Sequence, residues 1–146
     1  MFIKFKKLVE AAIEPQHADI GSAGWDLATY YDIRVEPHSR LLVKLGFAAQ
    51  IHVDSDIHHY QFEIRPRSGL ALKKGLTVLN SPGTIDQSYV HEWGVILFNT
   101  TDEPIDLKAG DRIAQCVLMP FFFQDWIEVD ELNGTSRVGG FGSTGS

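Results

Sequence analysis

Asp86 stands between Ile85 and Tyr89 in the stretch Asn80-Ser81-Pro82-Gly83-Thr84-Ile85-Asp86-Gln87-Ser88-Tyr89-Val90-His91-Glu92. A carboxylate partly desolvated by such neighbours holds a proton more tightly and suits general-base work, and the tyrosine ring can wall one side of a small ligand. The competing reading is structural: an Asp in a Gly/Pro loop commonly hydrogen-bonds its own backbone. A second group, Arg67-Ser68-Gly69, opens a run of good helix formers that ends at Gly75. Free N–H groups and the helix dipole at that start, with a guanidinium beside them, are what a phosphate chain would seek. The same residues also describe an ordinary capped helix beside a surface arginine. Arg137 and Phe141 lie in a stretch, 133–146, rich in Gly, Ser and Thr. By composition this is a flexible tail, and such a segment can close over a ligand, stacking a ring on a base while hydroxyls and N–H groups reach phosphate. It is no Walker A loop, because no Lys follows the glycines.

These groups need a scaffold. The stretch around Asp86 is too long for a two-residue hairpin turn and holds the turn formers Asn80, Pro82 and Gly83, so its backbone is shaped for more than reversal. Its apolar flanks, 76–79 and 93–98, read as buried strands. Upstream, Ile3, Phe5 and Val9 alternate with lysines and argue a first strand with one buried face. Residues 10–23 read as an irregular connection, and 25–31 as a strand with Trp25 and Leu27 on one face and Asp26 and Ala28 on the other, beside a close-approach glycine, Gly24. Asp26 there either caps the loop or faces a ligand. Alternation then runs from Leu41 to Ile51 as one long strand, and from His58 to Ile64 as another that stops at Pro66. Ser68 is the expected N-cap and Gly75 the stop of a helix about two turns long. Residues 105–107 make a short strand and 112–120 a near-continuous apolar one, in which Arg112 and Gln115 are the polar exceptions; Arg112 reads as partner to an acid that holds the fold. Phe121, Phe122, Phe123, Trp126, Ile127 and Val129 predict one more apolar strand, whose aromatic weight suits a subunit interface as well as a core. Many short alternating strands, one short helix and no helical crossover give an all-β, mainly antiparallel fold.

Composition narrows the chemistry. The 146 residues fit one domain with a core that needs no metal or disulfide staple. Hydrophobic content of 44% and charged content of 22% are ordinary globular values, and no apolar run approaches the roughly 20 residues that cross a bilayer. The N-terminus interleaves lysines with apolar residues and has no apolar h-region after them, so it does not read as a signal peptide, and a cytoplasmic setting is expected. The single cysteine, Cys116, excludes a disulfide within the chain and sits in an apolar run, where packing is its role. Thirteen basic against nineteen acidic residues leave a formal charge of −6, which disfavours wrapping a nucleic-acid polymer. A single nucleotide asks less: a few local cations, backbone N–H groups and a divalent ion can hold a triphosphate on an acidic protein. The six histidines lack zinc-ligand spacing, and His58 and His59, adjacent in a strand, would point to opposite faces.

Five short stretches carry a resemblance. In order they are Ala23-Gly24-Trp25-Asp26-Leu27, Pro66-Arg67-Ser68-Gly69-Leu70-Ala71, Gly83-Thr84-Ile85-Asp86 with Tyr89, Gly110-Asp111-Arg112-Ile113-Ala114-Gln115, and Gly139-Gly140-Phe141-Gly142-Ser143-Thr144-Gly145. They resemble the five motifs of the trimeric dUTPase family, from about residue 20 onward. The resemblance implies a distorted antiparallel jelly-roll barrel in a homotrimer, with 1–132 as the β domain and 133–146 as an exchanged tail that closes the active site. It implies hydrolysis of dUTP to dUMP and pyrophosphate with Mg²⁺, which keeps uracil out of DNA and supplies dUMP for thymidylate synthesis. Asp86 would then be the base that activates water for in-line attack on the α-phosphorus. Arg67, Ser68, Gly69 and Gln115 would serve the phosphates, and Asp26 would bind the magnesium ion through water. Asn80 with Gly83, Thr84 and Ile85 would read the uracil edge, and Tyr89 would pack on the deoxyribose. Phe141 would stack on uracil, with Gly142, Ser143 and Thr144 near the γ-phosphate.

Three positions depart from the family pattern. Ser88 stands where the family usually has an acid, and His91 where it has a glycine. Arg137 stands two residues before Gly139 rather than three, with Ser136 in the usual place, which bears on its phosphate contact. Two alternatives stay open. A dCTP deaminase of the same fold would need a glutamate that residues 93–98 do not offer. A phage-type relative of the same fold would add a regulatory protein partner.

Overall fold

The computed structural model describes residues 1–54 and 59–134. Alternation of apolar and polar residues builds twelve strands: β1 (Phe2–Lys7), β2 (Gln16–His17), β3 (Gly24–Ala28), β4 (Ile33–Val35), β5 (Arg40–Lys44), β6 (Phe47–His52), β7 (His59–Arg65), β8 (Leu76–Val78), β9 (Gly83–Ile85), β10 (Gly94–Asn99), β11 (Ile105–Leu107) and β12 (Arg112–Phe121). A single helix among the described residues, α1 (Ser68–Lys74), follows β7. The strands form four sheets, ordered β2-β3-β12-β7-β9, β5-β10-β8, β1-β6 and β11-β4. Every pairing is antiparallel, as the absence of helical crossovers predicts. The inward faces share one core in which Leu27, Phe47, Leu97 and Trp93 are fully buried. Trp93 anchors it, its ring 5.4 Å from Phe47 and 4.9 Å from Phe62. Cys116 is buried here too, and burial pushes its thiol up to about 12, so it packs and does not react. Among the described residues no helix is long and apolar enough to cross a membrane.

Several elements differ from the sequence expectations. The long strand over 41–51 is two strands, because Gly46 adopts φ 71° and turns the chain between them. β5 then pairs with β10 and β6 with β1. The large apolar residues Val43, Leu45 and Phe47, all buried, keep their spacing of two across the turn, so periodicity in the sequence alone could not reveal the break. The strand at 25–31 stops at Ala28, where the buried Thr29 hydroxyl donates to the Tyr31 carbonyl at 2.7 Å and closes a turn. Residues 10–23 contain the short β2, and the stretch around Asp86 carries its own strand, β9. Ser68 is the first helical residue rather than the N-cap. Arg67 takes the cap position in extended conformation without a side-chain cap, while Gly75 ends the helix in the left-handed region as expected.

The first strand lies at a sheet edge, so of its expected buried face only Phe5 is partly covered. The apolar stretch 122–129 forms no strand. Phe122, Phe123, Trp126 and Ile127 are between 75% and 101% exposed, and among the described residues no strand pairs with them. The expectations for His58, Arg137, Phe141, Gly142, Ser143 and Thr144 fall outside the described residues.

A Cβ added at Gly46 would lie 2.5 Å from Val9 and 2.9 Å from Tyr30. Gly46→Ala is therefore expected to destabilise the chain by about 2–4 kcal/mol, combining left-handed backbone strain with overpacking, as read from urea denaturation.

Candidate active site

The polar face of the five-stranded sheet is set by register. Gln115 on β12 lies opposite Asp26 on β3 and opposite Arg65 on β7, so the three side chains stand in one row on one face. Arg112 and Gln115 are three residues apart and in a regular strand would point to opposite faces. A register shift between Arg112 and Ala114 places an extra residue, Ile113, in β12. This bulge brings Arg112 to the face of Asp26 while both Ile113 and Ala114 stay buried.

Asp26 is the centre of the row. Its Oδ1 accepts from Nε of Arg67 at 2.8 Å and its Oδ2 from Nη1 of Arg112 at 3.0 Å. The carboxylate is 14% exposed, and Arg112 is the ion-pair partner that the sequence suggested. Arg67 also donates to the Arg112 carbonyl at 3.3 Å, so the bulge, the acid and the residue capping α1 form one unit. Gln115 donates from Nε2 to the Pro66 carbonyl at 3.0 Å. Gly24 permits this, because a Cβ there would lie 2.6 Å from Oε1 of Gln115. A cavity of about 530 Å³ opens above the row, and its lining includes Asp26, Arg67, Ser68, Gly69 and Gln115. Arg65, Lys73 and Lys74 line it too, making four basic side chains against one acidic on a protein of net charge −6.

The second group gathers elsewhere. Asn80, Gly83, Thr84, Ile85, Asp86 and Tyr89 line a cavity of about 290 Å³. The Asn80 amide folds over Gly83, where a Cβ would sit 3.1 Å from Nδ2. The loop is fastened by its own polar groups. Tyr89 donates its N–H to the Asp86 carbonyl at 3.0 Å and its hydroxyl to the Glu92 carbonyl at 3.1 Å. The Glu92 carboxylate accepts from Lys44 at 3.0 Å and from the Gly46 N–H at 3.1 Å. That hydrogen bond holds the Lys44 ammonium above the ordinary lysine range. Asp86 itself is exposed, against the expectation of partial desolvation. Ile85 turns toward the core and Tyr89 is 38% exposed, so within one chain neither covers the carboxylate.

The dUTPase family model matches residues 10–145. The chain belongs to the dUTPase family. Curated relatives agree: a deoxyuridine 5'-triphosphate nucleotidohydrolase of Picosynechococcus sp. is 46% identical over the whole of both chains, and one of Hydrogenobaculum sp. is 47% identical over 99% of each. Solved structures match in fold. The dUTPase of Staphylococcus bacteriophage 80alpha with dUPNHPP superposes with a TM-score of 0.86 at 23% identity, over 99% of both chains. A dUTPase from phage phi11 of S. aureus, described for its coordination of a structural Mg(II) ion, gives 0.80 at 20% identity over 92% of this chain and all of that one.

Within a dUTPase the two groups would have to meet on one substrate, and here they line different cavities. Among the described residues no three acidic, His or Cys side chains converge to hold a metal directly. Lys73, Lys74 and Arg65 were read from the sequence only as helix or strand residues. The signal was present: residues 65–74 hold four basic side chains and no acidic one. Gly24→Ala tests how this dUTPase places its glutamine. Pushing the Gln115 amide off Pro66 is expected to cost about 1 kcal/mol, the net worth of one hydrogen bond. The displaced Gln115 side-chain amide should be visible by NMR while urea denaturation shows a stable fold.

Proposed function

We propose that this chain hydrolyses dUTP to dUMP and pyrophosphate as a homotrimer of jelly-roll subunits, with Asp86 as the general base. The observation that carries the reading is that Asp86, Asn80 and Tyr89 line one small cavity, so base, pyrimidine reader and sugar wall share a single ligand space. Asp86 takes a proton from the water that attacks the α-phosphorus in line, and pyrophosphate leaves. Asn80 and the backbone from Gly83 to Ile85 read the uracil edge. Tyr89, tethered through its hydroxyl to Glu92, is a flat wall that a 2′-hydroxyl would strike.

The phosphates belong to the other cavity. Arg67, Gln115 and the N–H groups of Ser68 and Gly69 would neutralise the charge that builds on the phosphate oxygens. Asp86 and Arg67 line different cavities in one chain, which supports a site to which two subunits would contribute. The exposed aromatic stretch from Phe122 to Trp126 supports assembly, since it would otherwise stand in water. It leads into residues 133–146, which we read as the tail closing a neighbour's site, with Phe141 on uracil and Arg137, Gly142, Ser143 and Thr144 toward the phosphates.

Each Asp26 oxygen accepts a single guanidinium bond and keeps a lone pair for water. The residues therefore fit a magnesium ion that Asp26 would hold through one of the ion's own waters. When bound it would supply further neutralisation of phosphate charge. A regulatory partner, as the phage neighbours' control of virulence-gene transfer suggests, is carried by proteins only 21–23% identical and draws no support from the site. A cytoplasmic setting matches the substrate.

Asp86→Asn is expected to lower kcat by about 10²–10⁴-fold while leaving assembly intact. Turnover in ¹⁸O-water should place the label in dUMP, and label in pyrophosphate instead would overturn attack on the α-phosphorus. Light scattering should report about three times 16.3 kDa. Truncation after Leu132 should keep that mass and severely reduce kcat/KM; a fully active monomer would contradict shared sites.

A further inference from the structure

We propose that Gln87 is a positioning residue, which fixes Asp86 by completing with its side chain a strand ladder that the backbone abandons. β9 pairs with β7 through Gly83 with Ile64, Thr84 with Glu63 and Ile85 with Phe62. Continued at that register, Gln87 would lie opposite Tyr60. The backbone turns instead, closed by the bond from the Tyr89 N–H to the Asp86 carbonyl at 3.0 Å. The Tyr60 N–H, left without a ladder partner, donates to Oε1 of Gln87 at 3.0 Å. A backbone N–H can only donate, so the amide must present its oxygen and its orientation is set by chemistry. Both residues are half-buried, which makes an unmet Tyr60 N–H costly and the bond persistent.

The consequence falls on the base. Asp86 is exposed and stands between two anchors, the last ladder pair at Ile85 and the side-chain bond at Gln87. β7 also pairs with β12, where Arg65 lies opposite Gln115. The Gln87 bond therefore ties the Asp86 turn to the sheet that carries the phosphate-side row. A base held this way keeps its position before any substrate or second subunit covers it, and a displacement near 1 Å costs on the order of 10²-fold in rate.

The inference rests on the reading of Asp86 as the base, and the test separates the two. Gln87→Leu keeps most of the volume and removes the acceptor; Gln87→Glu keeps the acceptor. With the full chain and dUTP, Gln87→Leu is expected to lower kcat about 10-fold or more with KM within about threefold, and to speed hydrogen exchange at the Tyr60 amide. Gln87→Glu is expected to restore kcat on its alkaline plateau. Its acid limb should shift to higher pH, because a second carboxylate disfavours charge on Asp86. Parental kcat in Gln87→Leu, equal impairment in Gln87→Glu, or a loss confined to KM would overturn the proposal. Should Gln87→Leu not fold, an unprotected Tyr60 amide in the parent chain overturns it and a protected one with a rescued Gln87→Glu supports it. Turnover retained in Asp86→Asn removes the base reading, whereas an inactive Asp86→Asn beside a parental Gln87→Leu removes only this inference.

Discussion

One carboxylate bridging two guanidiniums organises the polar face of the five-stranded sheet. Asp26 accepts from Arg67 at one oxygen and Arg112 at the other, largely screened from water. Removing the acid would leave two cations facing each other across a half-buried gap, so the pair could not hold its geometry. The bridge joins three parts that are distant in sequence: the strand after Gly24, the residue capping α1, and the bulge in β12. It also consumes one charge of two, so a net cation remains where an anionic ligand would sit.

The loop around Asp86 is held in a different way. Its anchors are short polar bonds to backbone or fixed side chains, running from Gln87 through Tyr89 to Glu92 and on to Lys44 and Gly46. Gly46 matters twice, as the left-handed turn that separates β5 from β6 and as an N–H donor to Glu92. The loop is thus fixed by bonds that leave its functional face open.

The stretch after β12 shows the complementary condition. Among the described residues Phe122, Trp126 and Ile127 enter no strand and stay exposed, and large exposed apolar patches of that kind commonly mark interaction surfaces.

The sequence by itself determined what is local. Alternation at a period of two gave the strands and the all-β class, Gly75 the end of the helix, and the clustering of Asn80, Asp86 and Tyr89 the loop whose residues share a cavity. Gly24 was legible as a close-approach glycine because only a missing side chain admits Gln115 there. What the sequence could not show is non-local. The break at Gly46 leaves the spacing of the apolar residues Val43, Leu45 and Phe47 intact, since all three enter the same core, and only the change of pairing partner exposes it. Arg112 and Gln115 have the wrong spacing to share a strand face, and the bulge at Ile113 that aligns them arises from pairing with β3. The apolar run at 122–129 has strand character but pairs with no strand among the described residues, and propensity cannot supply one. In a sheet, a one-residue shift in register reverses which face every later side chain occupies. The side chains that meet at Asp26 were therefore fixed by tertiary pairing, where residue type and spacing had left both faces open.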